Sequence, residues 1–261
     1  MTDRKPELCV YILAKNEARN IGRCLESLRV TGWKTVVLDS GSVDETISIV
    51  SNFEFAELRP YRYVNHCVAY NEITSVFATD WRYVLVLDAD MVVSEEFQHE
   101  IKRRVSDING PEVLEAEILM YVDGQPLPHG SLCPPKACIF ATGKQYFVAT
   151  GHGERLTSDV VAYRTTAPLK HDDRKEYSSY LLSQLRYAKN LNDRTQSSQY
   201  SFRDQLRTKS PLLVFAVPFV SYILKCGFAS GRAGALYAMD RMIAEAIMYR
   251  QALASRSSSD Q

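Results

Sequence analysis

Asp88 and Asp90 flank a single alanine, Ala89, directly after the uncharged run Tyr83–Leu87 (YVLVL). Two carboxylates at that spacing, delivered by the end of a buried strand, can hold a hard divalent cation on oxygen ligands. Aspartates after strands are also ordinary turn and cap residues, so the pair gains meaning only in company. Lys15-Asn16-Glu17 follows the apolar run Leu8–Leu13, and Asp39-Ser-Gly-Ser-Val-Asp44 follows Thr35–Leu38. In an open parallel sheet, ligands bind beyond the carboxyl ends of the strands. Three acidic clusters on one such rim repel one another unless a cation or hydrogen-bond donors balance them. The rim therefore suits a metal-bound diphosphate.

The elements that must carry these residues alternate. Leu8–Leu13 reads as a buried parallel strand, and Asn20 precedes Ile21, Cys24, Leu25 and Leu28 at helical spacing. Thr35–Leu38 is a second strand, with Ser42 and Glu45 spaced as a capping box for the next helix. Phe55–Leu58 and Tyr83–Leu87 give two more strands, and Ser94 with Glu95 and Glu96 opens another helix in the orientation the helix dipole favours. Four β-α alternations predict an α/β protein with a mostly parallel sheet flanked by helices. Glu115–Tyr121 reads as a further strand. Asp123–Lys136, with four prolines and two glycines, reads as a long functional loop. After His171 the pattern is helical over Tyr177–Ala188, Pro211–Lys225 and Arg232–Leu253, and the polar tail Arg256–Gln261 is expected to be disordered.

Acidic and basic residues balance at 31 each, so no global field recruits nucleic acid. Six scattered cysteines without zinc-type pairs, and an N-terminus lacking a signal-peptide core, predict a cytoplasmic protein with free thiols. Pro211–Leu224 is fourteen uncharged residues bounded by Lys209 and Lys225. That is too short for a bilayer core of roughly 30 Å. It is either a core helix bent at Pro218 or an in-plane segment at the membrane interface; the basic flanks and Tyr222 suit the second.

Taken together, ILAKNEARNIGRCLESL, VVLDSGSVDETISIV and DWRYVLVLDADM resemble, in order and spacing, the signature of family 2 glycosyltransferases with the GT-A fold. The resemblance implies a Rossmann-like GT-A domain over residues 1–175 and a helical, membrane-interfacial C-terminal region over 176–261. It places Ala14, Glu17 and Asp39 at the donor base, with Asp44 as a further contact. Asp88, with Ala89, falls on the ribose side, and Asp90 on Mg2+ or Mn2+. The family's pairing of a basic residue with asparagine, ahead of the acidic motif, reads here Tyr70-Asn71, which makes Asn71 a donor-site candidate. Gly151-His-Gly-Glu-Arg155, Leu169-Lys-His-Asp-Asp-Arg-Lys175 and YILKCGFASGRAGALYA resemble, more weakly, enzymes that glucosylate lipopolysaccharide cores. From these, His171 becomes a metal ligand and the general base one of Glu154, Asp172 or His152, with Glu154 first. Arg155, Arg174 and Lys175 could add charge near the phosphates.

The implied reaction is inverting transfer of a glucose-like hexose from a nucleoside-diphosphate sugar, a UDP-sugar first among them. The acceptor would be a glycan or glycolipid of the cell envelope, reached by peripheral contact with the inner face of the membrane. Two alternatives stand beside it: a nucleotide-sugar-binding or scaffold protein without catalysis, and a sugar nucleotidyltransferase. The latter usually carries a glycine- and arginine-rich loop where this chain reads Ala14-Lys-Asn-Glu17.

Overall fold

The computed structural model describes residues 5–107, 110, 112–150, 153–157, 160–195 and 202–259. The chain forms two compact units, one built from residues up to Leu119 with Cys133–Arg174, the other from Met120–Leu132 with Lys175 onward.

The first unit alternates as its sequence predicts. Strand β1 (Leu8–Ala14) leads to helix α1 (Ile21–Leu28), β2 (Lys34–Asp39) to α2 (Thr46–Ser51), and β3 (Ala56–Pro60) to α3 (His66–Glu72). Then follow β4 (Tyr83–Asp88), the short β5 (Met91–Val92) and α4 (Glu95–Ser106). All seven residues of β1 are buried, because β1 lies parallel between β2 and β4 and is covered on both faces. Helix α1 buries Ile21, Cys24, Leu25 and Leu28, the stripe its spacing predicts. Ser94 caps α4 by accepting from the Phe97 N–H.

The capping box expected at Ser42 and Glu45 does not form. The Ser42 hydroxyl donates instead to Asp39 Oδ1 at 2.5 Å, and α2 starts after Glu45 without a side-chain cap at that residue. The strand expected at Glu115–Tyr121 is two strands, β6 (Val113–Ala116) and β7 (Ile118–Val122), broken at Glu117, whose carbonyl accepts from Leu169 N–H.

Beyond β8 (Gln125–Leu127), the chain runs through β9 (Lys136–Ala141), β10 (Phe147–Thr150), β11 (Gly153–Leu156), β12 (Ala162–Arg164) and β13 (Leu169–His171). The main sheet has the order β12-β6-β9-β4-β1-β2-β3. It is parallel except where β9 enters antiparallel between β4 and β6. The antiparallel insertion matters for function, since it brings the first residue of β9 to the carboxyl end of β4.

Residues 120–132, read above as part of the first domain and as loop, belong with the second unit as a hairpin. Asp123 and Gly124 both take positive φ (48° and 75°), the geometry a two-residue turn between twisted strands requires. Leu127 is buried with Ala233 and Tyr237, with Met120, Val122 and Leu132 packed around them. The helices are α5 (Tyr177–Thr195), α6 (Phe202–Lys209), α7 (Leu212–Phe219) and α8 (Gly231–Ser259). The tail expected to be disordered from Arg256 is thus helical through Ser259. Arg207 of α6 forks onto buried Glu245 of α8 at 2.7 and 2.9 Å. After Pro218 the helix relaxes into a π turn at Val220–Leu224, because proline supplies no N–H to continue the regular ladder. Two glycines of the GFASGRAG stretch allow close contact: a Cβ on Gly234 would lie 1.8 Å from the Gly227 carbonyl oxygen, and one on Gly227 would lie 2.8 Å from the Ser221 carbonyl oxygen.

Candidate functional site

Strand β4 delivers Asp88 at its last position, Ala89 turns the chain, and Asp90 precedes β5. Strand β13 pairs antiparallel with β5, setting His171 opposite Met91, and the Asp172 N–H donates to the Asp90 carbonyl at 2.9 Å. His171 Nε2 consequently lies 3.3 Å from Asp90 Oδ2. Two residues that the sequence places far apart share one site because a two-residue strand offers its free edge to a late one.

Two cavities share Asp88 and His66. The smaller, about 280 Å3, is lined by Ala14, Glu17, Ser40, Tyr63 and Asp90 among others, with Ala89 also on its wall. The larger, about 830 Å3, is lined by Tyr70, Glu115, Lys136, Phe147 and His171 among others.

Asp39 and Asp44 do not line the smaller cavity among the described residues; they build the loop beside it. Asp39 Oδ2 accepts from the Gly41 and Ser42 N–H groups at 2.9 and 3.0 Å. Asp44 accepts from Thr46 N–H at 3.0 Å and from Ala18 N–H at 3.1 Å, tying the loop after β1 to the loop after β2. Asn71 is a backbone clamp. Its amide donates to the Phe147 carbonyl at 2.8 Å and accepts from the Tyr146 and Phe147 N–H groups at 3.0 Å, so it holds β10 onto α3.

Asp172 faces cations rather than open space, since Arg174 donates to both its oxygens at 2.6 and 2.8 Å and Arg23 approaches to 3.8 Å. Glu154 sits in β11 with its backbone opposite Ala149. The side chains of Glu154 and Arg155, and the whole of His152, lie outside the described residues.

Electrostatics divide the two aspartates. Burial works to raise the Asp88 carboxyl, but the charge and hydrogen bond of Lys136 outweigh it and hold Asp88 below the usual carboxylate range. Asp90, with a side chain only 13% exposed, is pushed up to about 6 by burial and by the Asp88, Glu17 and Asp173 charges, with His171 pulling the other way. Asp88 Oδ1, Asp90 Oδ1 and His171 Nδ1 are buried and find no hydrogen-bond partner among the described residues. Unpaired buried carboxylate oxygens are costly unless something binds them. They are hard oxygen donors beside an imidazole, a donor set that fits a divalent cation. Among the described residues no three His, Cys, Asp or Glu side chains form a ready-made cage. Magnesium-type ions are commonly held by one or two carboxylates, with substrate phosphate and water supplying the rest.

Two residues escaped the sequence reading. By sequence Lys136 is only the end of a loop; in the structure it is the single charge on the otherwise apolar strand KACIFA, and that isolation is the available signal. Asn20 stands at a helix start, yet it makes no side-chain cap. Its amide instead donates to Glu17 and Asp173, both at 2.8 Å, and accepts from Arg174 N–H at 2.8 Å, joining the first acidic loop to the segment after β13.

Residues 9–108 match the family described as glycosyl transferase family 2. An uncharacterized glycosyltransferase of Rickettsia felis is 27% identical over 116 residues, covering 44% of this chain and 40% of that protein. The SPbeta prophage-derived glycosyltransferase SunS of Bacillus subtilis is 30% identical over 100 residues, covering 38% and 23% respectively. The chain thus spans less than half the length of these relatives. Among solved structures, TarS 1–349 of S. aureus is similar with a TM-score of 0.46 at 14% identity, covering 97% of this chain and 92% of that one. Glucosyl-3-phosphoglycerate synthase of Mycobacterium tuberculosis, solved with Mn2+, UDP and glucosyl-3-phosphoglycerate, gives 0.46 at 15% identity, covering 73% and 80%. The match over residues 9–108, which run from β1 through α4 and carry the Asp88-Ala-Asp90 rim, makes this part of the chain similar to glycosyl transferase family 2.

Proposed function

We propose that this protein is an inverting glycosyltransferase that moves a hexose from a nucleoside-diphosphate sugar, a UDP-sugar first among them, to a glycan or glycolipid acceptor of the cell envelope. The observation that carries the reading is the pair of cavities meeting at Asp88, with buried, unpartnered oxygens of Asp88 and Asp90 at the junction. The smaller cavity takes the donor, with Tyr63, Ala14 and Ser40 around the nucleoside. The loop held by Asp39 and Asp44 shapes that wall, and Asn71 fixes the aromatic wall of the larger, acceptor cavity. Asp90 and His171 would hold Mg2+ or Mn2+, which neutralises the diphosphate as it leaves. Lys136 keeps Asp88 ionised and oriented where the cavities meet. Asp172, gripped by two arginines, is poorly placed to take a proton, and the side chain of Glu154, the first candidate by family resemblance, lies outside the described residues, which leaves the base to be sought among the residues lining the larger cavity.

The test is calorimetric titration with UDP in the presence and absence of Mn2+, followed by incubation with UDP-glucose, UDP-galactose and UDP-N-acetylglucosamine. Metal-dependent UDP binding with UDP released from one of these sugars is the expected result. Pyrophosphate release from a nucleoside triphosphate and a sugar phosphate would instead make the protein a nucleotidyltransferase. UDP binding without release from any donor would favour the binding protein.

The second unit suits lipid-linked acceptors. Leu212, Phe215, Phe219 and Ile223 repeat at three- and four-residue intervals and are all exposed, with Leu224 and Phe228 beside them. Phe215 is 67% and Leu224 65% exposed, far more than a core helix allows. Lys209 and Lys225 flank the row and are also exposed. No single helix among the described residues is long and apolar enough to cross a membrane, although Leu212–Leu224 and Gly227–Ser255 form an apolar pair bent by 70°. The pattern fits in-plane contact at an interface. Burying one such side chain is worth about 1.5–3 kcal/mol, so Phe219→Glu should weaken binding to phosphatidylglycerol vesicles by about tenfold or more. Equal co-sedimentation of wild type and variant would remove the membrane from the proposal.

A further inference from the structure

We propose that Glu115 is the general base, the group that accepts the acceptor hydroxyl's proton; this rests on the glycosyltransferase reading above and names a residue within it. Glu115 lies on β6, where the pairing with β9 shifts register after Leu114, and it sits opposite Ala137, which packs with Val113 on one face of the sheet. On that face Val113 packs with Tyr70, Phe140 and Phe147, and Glu115 lines the larger cavity with Lys136 and His171.

What singles Glu115 out is its lack of engagement. Among the described residues, the other carboxylates lining the two cavities are engaged, Asp88 with Lys136, Asp90 with His171 and Glu17 with Asn20, and several elsewhere in the unit are engaged too. Glu100 accepts from Thr166 and Ala167, Glu112 pairs with Lys144, Glu117 with Arg164, Asp172 with Arg174 and Asp88 with Lys136. Glu115 is half-buried, faces the cavity, and among the described residues has no hydrogen bond or ion pair on its carboxylate. A carboxylate kept beside apolar Ile118, Phe147 and Val160 without a partner is held ready for a proton from whatever enters.

The placement also satisfies in-line displacement. The diphosphate end of the donor lies at Asp90, which lines only the smaller cavity, whereas Glu115 lines only the larger. The anomeric carbon then sits near the junction at Asp88, with the base opposite the leaving group. As the acceptor oxygen forms its bond to the anomeric carbon, its proton passes to a Glu115 oxygen. The bond from that carbon to the diphosphate oxygen breaks, and its electron pair leaves with the nucleoside diphosphate. Glu115 ends as the neutral acid and returns the proton to water.

The experiment uses UDP-glucose with Mn2+, water as the acceptor, and the variants Glu115→Gln and Glu115→Asp. Glu115→Gln should bind UDP within about twofold of wild type by calorimetry, while UDP release falls by roughly 10²–10⁴. Glu115→Asp keeps a carboxylate and should fall between the two. Sodium azide, an anionic nucleophile that brings no proton, should restore UDP release in Glu115→Gln and yield glucosyl azide. Release from Glu115→Gln within about threefold of wild type, or no azide rescue, would overturn the proposal. So would equal losses in both variants accompanied by lost UDP binding, which mark a structural role. A wild-type chain that neither binds UDP nor releases it would remove the underlying glycosyltransferase reading instead, a result distinct from these.

Discussion

Asp90→Asn should cut UDP release from a UDP-sugar by about 10³-fold, yet raise the melting temperature of the metal-free protein. Both effects come from one buried charge. The Asp90 side chain is 13% exposed, its Oδ1 has no partner, and Asp88, Glu17 and Asp173 all push against its ionised form. Without a cation, His171 is the group among the described residues that offsets that charge. Asparagine keeps the shape and removes the charge, so it relieves the repulsion while losing the affinity for a divalent ion. A gain of about 1 kcal/mol corresponds to roughly 2–4 °C in a chain of this size. Differential scanning calorimetry with and without Mn2+ plus UDP gives both readings. Wild type should rise on addition and Asp90→Asn should not. If Mn2+-dependent UDP binding survived in Asp90→Asn, the metal would have to be placed on other residues.

The division between what the residues announced and what they hid follows the range of the forces involved. Strands β1, β2 and β4 were legible because a strand covered on both faces must be continuously apolar, and helix α1 because its buried stripe repeats at helical spacing. The acidic rim was legible because parallel strands deliver their carboxyl ends to one side. The cap at Ser42 was misread because two local options compete for one hydroxyl, and the Asp39 carboxylate three residues back wins. The hairpin at 120–132 was misread as loop because its prolines and glycines mask a short alternation. What makes those residues ordered is Leu127 buried against α8, a contact far away in the sequence.

Lys136 was hidden for the same physical reason, and so were the cations that engage Asp172. An antiparallel strand inserted between two parallel ones cannot be foreseen from a β-α repeat, so nothing local says that residue 136 will reach Asp88. Asp172 stands next to a promising histidine, and neither Arg174 at 2.6 Å nor the turn that brings Arg23 close is written in its neighbourhood as an obligation.

Lys136→Met should be the most destabilising single change at this site, costing about 3 kcal/mol and leaving little activity. The methionine fills the space of the lysine stem, so packing is retained and the missing charge is what the experiment reads. Asp88 would keep its negative charge with one oxygen already lacking a partner and the other newly stripped of its own. Breaking a buried pair from one side is costly because the survivor cannot return to water. The side chains of Lys136 and Asp88 are 22% and 30% exposed, which puts the cost toward the lower end for buried pairs. The exposed pair Lys144–Glu112 supplies the contrast, and Lys144→Ala should cost no more than about 1 kcal/mol. Adding Asp88→Asn to Lys136→Met should recover much of the stability, since no lone charge is left behind, but should not recover transfer, because Asp88 borders both cavities. Urea unfolding of the two single variants and the double variant measures the coupling. If Lys136→Met unfolded within about 0.5 kcal/mol of wild type, Lys136 would be an ordinary surface cation and the control of Asp88 assigned to it here would be wrong.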